Sequence, residues 1–162
     1  MTLFRVRGSG PQADRVAGDD CAHERLTSVN NDSKGTLHHI ELWVPDIDRA
    51  KQEWGWVLAR LGYSTYQSWA SGISWRLGPT YIVAEQSPAM SSREHERTLP
   101  GLNHLAFHAG SQEDLDVFVE ESRRHGWVQL FEDKYPHAGG PDHYAAYLVN
   151  SDGFELELVA TA

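Results

Sequence analysis

Leu37, His39 and Asp46 in the stretch LHHIELWVPDID are matched 65 residues later by Leu102, His104 and Ser111 in LNHLAFHAGSQED. A repeat of this kind narrows the fold to two similar units that share a buried interior. Each copy opens as a strand and continues as a helix. In the first, Ile40, Leu42 and Val44 alternate against His39, Glu41 and Trp43, as in a strand with one face on a core. Asp46 then starts a helix whose apolar positions Ile47, Ala50, Trp54, Val57, Leu58 and Leu61 recur in steps of three and four, with Gly62 as its stop. In the second, Ser111 and Asp114 resemble a capping box, Leu115, Phe118, Val119 and Ser122 form the buried stripe, and Arg123, Arg124 and His125 precede Gly126. Strands are expected near 63–69, 73–77 and 80–85, and again near 127–131, 143–149 and 154–159. The order βαβββ therefore occurs twice, in modules at about 37–90 and 102–160, and the fold class is α+β.

At 162 residues the chain is the size of one domain, and residues 1–36, with scattered apolar positions and no period, are expected to be a flexible leader. With 14 Lys and Arg against 23 Asp and Glu, the net charge of -9 opposes attraction to nucleic acid or anionic membrane surfaces. Cys21 stands alone, so no internal disulfide forms, and no export signal opens the chain. A cytoplasmic location is expected.

Strand alternation sends His38 toward the helix with Ile40, Leu42 and Val44, and turns His39 to the opposite face. His104 takes the equivalent place in the second module, so two imidazoles can meet across a pseudo-two-fold axis. On the last strand Glu155 and Glu157 point opposite to Phe154, Leu156 and Leu158, where an acid needs a partner or water. Imidazole nitrogen and carboxylate oxygen are natural donors to a divalent ion. The segment YPHAGGPDHYAAYL reads as a lid over the cavity carrying an acid–base group, with His143 and Tyr147 on one strand face. SSREHER reads as a solvated loop, and Trp54, Trp56 and Trp69 as core, dimer interface or cavity wall. No G-x-S-x-G elbow and no phosphate loop occur.

LHHIELWVPDIDRA, GLNHLAFHAGSQEDLD and NSDGFELELV together resemble the vicinal oxygen chelate superfamily of glyoxalase I, extradiol dioxygenases and bleomycin- or fosfomycin-resistance proteins, over roughly Leu37 to Val159. NSDG replaces the family's usual DPDG turn but keeps its glycine. The resemblance implies curved mixed sheets around a cavity with the helices outside. It implies a divalent ion (Fe, Zn, Ni or Mn) on His39, His104 and Glu157, and glyoxalase-type members add an acid from the fourth strand, for which TYIVAEQ offers Glu85. The implied activity is that of a metal-dependent enzyme acting on a small substrate with vicinal oxygens, by lyase, isomerase or dioxygenase chemistry, in a homodimer. Glu85, His143 and Tyr147 are the candidate catalytic residues. The alternative, supported by six Trp and six Tyr, is a resistance protein that sequesters an aromatic natural product.

Overall fold

The computed structural model describes residues 34–161, and the leader expected over 1–36 lies almost wholly outside the described residues. The first module runs β1 (His39–Trp43), α1 (Ile47–Arg60), β2 (Ser64–Trp69), β3 (Gly72–Leu77) and β4 (Thr80–Glu85). The second runs β5 (His104–His108), α2 (Gln112–Ser122), β6 (Trp127–Leu130), β7 (Ala145–Asn150) and β8 (Glu155–Val159). Each forms a four-stranded sheet, ordered β1-β4-β3-β2 and β5-β8-β7-β6, in which the outer strand β1 or β5 runs parallel to β4 or β8 and the rest are antiparallel. These are the two α+β modules implied by the repeat, and within one chain the sheets do not close on each other. Among the described residues no helix is long and apolar enough to cross a membrane.

Local chemistry accounts for both helices. Asp46 caps α1 by accepting from the backbone of Asp48 and Arg49, and a full capping box of Ser111 with Asp114 starts α2. Gly62 and Gly126 adopt left-handed φ of 87° and 84° after the helical turns, a conformation that favours glycine. The stripe Ile47, Ala50, Trp54, Val57 and Leu58 is buried against the first sheet, and Leu115, Phe118 and Val119 against the second.

The modules meet through their helices. The Trp54 ring packs edge-on to Trp127 at 5.1 Å and also touches Phe154, which makes it core rather than cavity wall. Trp127 Nε1 donates to the Glu53 carbonyl, Arg60 pairs with Glu121 at 3.0 Å, and Arg49 pairs with Asp152. Trp56 lies stacked on His125 at 4.3 Å. Burying a ring as large as Trp54 contributes on the order of 3 kcal/mol or more.

Helices cover one face of each sheet and leave the other open. In the first sheet the open face carries His39, Glu41 and Trp43 on β1, beside their register partners Tyr81, Val83 and Glu85 on β4. In the second it carries His104 and Ala106, Glu155 and Glu157, and Tyr147 and Val149. His38 departs from expectation. It precedes β1, so strand alternation does not govern it, and its ring sits beside His39 and Tyr81 instead of under the helix.

Candidate functional site

Glu157 occupies the middle of β8, with Ala106 and Tyr147 as its neighbours across the ladder. The small side chain of Ala106 leaves room above it. Only 7% of the residue is exposed, yet its two oxygens are fully engaged. Oε1 lies 2.6 Å from Nε2 of His143, and Oε2 lies 3.2 Å from Nε2 of His104. Tyr147, the register partner of Glu157 on β7, places its hydroxyl near the same carboxylate. Burial pushes the Glu157 carboxyl up, but the bond to His143 and the neighbouring Tyr147 hydroxyl outweigh it and hold the group below its ordinary value. Burial, then the Glu157 carboxylate beside it, pushes Tyr147 up to about 12, so the phenol stays protonated. His143 is bonded to Glu157 through Nε2, which leaves Nδ1 as the ring nitrogen turned away from the carboxylate.

The segment from 135 to 144 delivers His143. Tyr135 and Tyr144, at its two ends, both donate their hydroxyls to Oδ1 of Asp116 on α2, Tyr144 at 2.9 Å. Inside it, Ala145 N donates to the Pro136 carbonyl and His143 N to that of Gly140. Gly139 passes so close to the cluster that an added Cβ would lie 2.6 Å from Cδ2 of His143 and 2.8 Å from the Tyr147 hydroxyl. β7 begins at Ala145, so His143 belongs to this loop and not, as expected, to the strand face it was to share with Tyr147. The two still converge, on Glu157.

His104, His143, Tyr147 and Glu157 are therefore brought together, whereas His39 and Glu85 are not. Nδ1 of His39 lies 2.9 Å from that of His38, and its ring stacks on Tyr81 at 4.9 Å. Among the described residues it has no bond to His104 or Glu157, and no three His, Cys, Asp or Glu side chains are arranged to hold an ion. Glu85 shares the face of His39 but lies opposite Trp43, while His39 lies opposite Tyr81. Their register positions are four strand residues apart, about 13 Å along the strand.

For an ion, donors in adjacent positions at about 2.1 Å stand roughly 3.0–3.4 Å apart. His104 Nε2 and Glu157 Oε2, at 3.2 Å, fit such an edge. His143 does not extend it, because it engages the other oxygen. One chain thus supplies two suitable donors.

Arg97 was missed from sequence. SSREHER is not simply solvated: Arg97 pairs with buried Glu155 at 2.5 Å, and His95 stacks on Phe154 at 3.9 Å. Asn103 links this segment to the cluster, donating to the Arg97 carbonyl and approaching Nδ1 of His104 at 2.8 Å.

Comparison with known proteins agrees with this architecture. The family profile described as the Glyoxalase/Bleomycin resistance protein/Dioxygenase superfamily matches residues 38–147. The uncharacterised protein YqjT of Bacillus subtilis strain 168 is 43% identical over 125 residues, which cover 76% of this chain and 98% of that one. A glyoxalase-type protein from Bacillus halodurans superposes with a TM-score of 0.77 at 39% identity, covering 82% of this chain and all of its own. The fosfomycin resistance protein FosX of Listeria monocytogenes, solved with Mn(II) and sulfate, shares the fold with a TM-score of 0.54 at 17% identity over 79% of this chain and 93% of its own. The profile match and the identity to YqjT place this chain in the glyoxalase/bleomycin resistance/dioxygenase superfamily.

Proposed function

We propose that this chain is a divalent-metal-dependent enzyme of the superfamily, acting on a small substrate with neighbouring oxygens, and that a homodimer completes its site. His104 and Glu157 of one copy and His39 of a second would hold the ion. The observation that carries this reading is the division of Glu157: Oε2 and His104 Nε2 form a ligand edge, while Oε1 is given to His143. The open face that presents His39, with Trp43, Tyr66 and Trp69 exposed on the same sheet, supports its meeting a second copy. The Mn(II) bound by FosX supports a metal in a chain of this fold.

When bound, the ion supplies Lewis-acid stabilisation of a substrate oxyanion. The chain's own residues supply the rest. His143, oriented through Nε2 by Glu157, accepts a proton at Nδ1, and the same carboxylate stabilises the imidazolium that results. Tyr147, beside Glu157 on the neighbouring strand, would help keep the carboxylate turned toward His104. Because Glu85 lies about 13 Å along the face from His39, the reading is a two-histidine, one-carboxylate set, which leaves positions open for substrate.

Metal analysis and size-exclusion chromatography test this. Wild type is expected to be dimeric and to carry about one ion per chain at full occupancy. His39→Ala, His104→Ala and Glu157→Ala should each lose it, and His143→Ala should keep it while losing turnover. Wild-type occupancy in all three ligand variants would refute the reading.

One observation favours a second reading, sequestration of a flat natural product: Tyr66, Tyr81 and His39 form an aromatic wall on the open face, with Tyr66 5.6 Å from Tyr81. Binding that persists unchanged after chelation would favour it.

A further inference from the structure

We infer that the substrate carries a carboxylate, received by Lys134 and Arg97 at the mouth of the cavity beside His104. The inference rests on the proposed function in placing the substrate at this cluster. A cavity of about 300 Å³ is lined by Arg97, His104, Phe131, Lys134 and Tyr147, among others. Arg97 is built into it. Its Nη1 donates to Oε2 of Glu155, a side chain only 3% exposed, and its carbonyl accepts from Asn103, whose Oδ1 in turn meets His104. One nitrogen is thereby committed, and the guanidinium is held in a fixed relation to His104 with its other nitrogens available.

Lys134 has no ion-pair or hydrogen-bond partner for its ammonium among the described residues. It ends the 3-10 turn Glu132–Lys134, which starts from Phe131 at φ 54°, the one non-glycine among the described residues with a positive φ. Such backbone strain in a bulky residue persists where the surroundings require it. Here it sets the Phe131 ring edge-on to Tyr147 at 5.7 Å, on the wall of the same cavity.

Charge selects the ligand. A chain with a net charge of -9 repels anions at long range, so a local cation is needed to hold one. The Arg97 charge is matched by Glu155, which leaves the Lys134 ammonium to meet an anion. Phe131 and Tyr147 offer ring surface to the rest of the molecule, which makes the ligand a small carboxylate with a flat, apolar body.

The test uses benzoate and its neutral counterpart benzamide, titrated near neutral pH at fixed ionic strength and followed by NMR shifts of His104 and Tyr147. Wild type should bind benzoate about 5-fold more tightly than benzamide. Lys134→Gln should bring the ratio near unity. Lys51→Gln, which removes a charge paired with Asp48 on α1, should leave it unchanged. Lys134 is chosen over Arg97 because removing Arg97 strands buried Glu155. Equal binding of the two probes by wild type, binding of neither, or equal loss of preference in both variants overturns the inference. Metal content measured on the same samples reports separately on the proposed ion, so a benzoate preference in metal-free protein upholds the carboxylate site while the metal reading fails.

Discussion

His143 holds Glu157 from outside the sheet. Its Nε2 lies 2.6 Å from Oε1 of the glutamate although one residue belongs to a loop and the other to the last strand. This bond ties the position of a mobile class of element, a connecting loop, to a buried charge on a strand paired on both sides.

The carboxylate at the centre should be visible through its neighbours. Tyr147 is pushed up to about 12 by burial and by the Glu157 carboxylate beside it. A carboxylate beside a phenol opposes ionisation, so Glu157→Gln should bring Tyr147 part of the way back toward about 10, the remainder being burial. NMR titration of labelled tyrosine reads this; an unmoved Tyr147 would show that the carboxylate does not act on the phenol.

Asp116 fastens both ends of the loop through Tyr135 and Tyr144. Asp116→Ala should cost about 1 kcal/mol and raise amide exchange across 136–143 by about 5-fold, with α2 itself unaffected. Uniform exchange changes over the whole second module would contradict the fastening role.

Gly139 is required by proximity and not by its backbone conformation. Gly139→Ala places a methyl group 2.6 Å from His143 Cδ2 and 2.8 Å from the Tyr147 hydroxyl. The expected result is loss of the downfield His143 imidazole N–H signal with a stability change of about 1–3 kcal/mol. Retention of that signal would show that the loop yields instead.

Glu53 couples the modules at some cost. It is 6% exposed and accepts from Ser151, while its Oε2 is buried without a partner, and burial, then the charge of Asp152, raises its pKa. A carboxyl raised on folding stabilises fully below its unfolded pKa and loses that contribution as pH rises through the folded value. Glu53→Gln, which keeps an acceptor for Ser151, should therefore be about 1–2 kcal/mol more stable than wild type near neutral pH. The difference should shrink toward zero as pH falls below the ordinary carboxylate range, and thermal melts of both proteins across pH test the sign.

Strands, helices and caps were legible because their signals are local. Ile40, Leu42 and Val44 alternate, Ser111 and Asp114 stand at capping distance, and the offset between His39 and His104 exposes the second module. Tertiary proximity was not legible. The repeat makes His39 and His104 equivalent but does not bring them together, since the modules meet through Trp54, Trp127 and the helices, leaving both sheet faces open. Arg97 was hidden in a run of charges, where only the buried Glu155 across space gives it meaning. Phe131 was hidden too, because a positive φ at a bulky residue has no sequence signal. His38 was misassigned because alternation was carried one residue ahead of the start of β1.

Mixed dimers test the shared site most directly. Co-expressed and purified as a heterodimer, His39→Ala chains paired with Glu157→Ala chains should bind about one ion per dimer, because one of the two shared sites then has His39 from one chain and His104 with Glu157 from the other. Each variant alone should bind none. A heterodimer as empty as its parents would contradict a site completed across two copies.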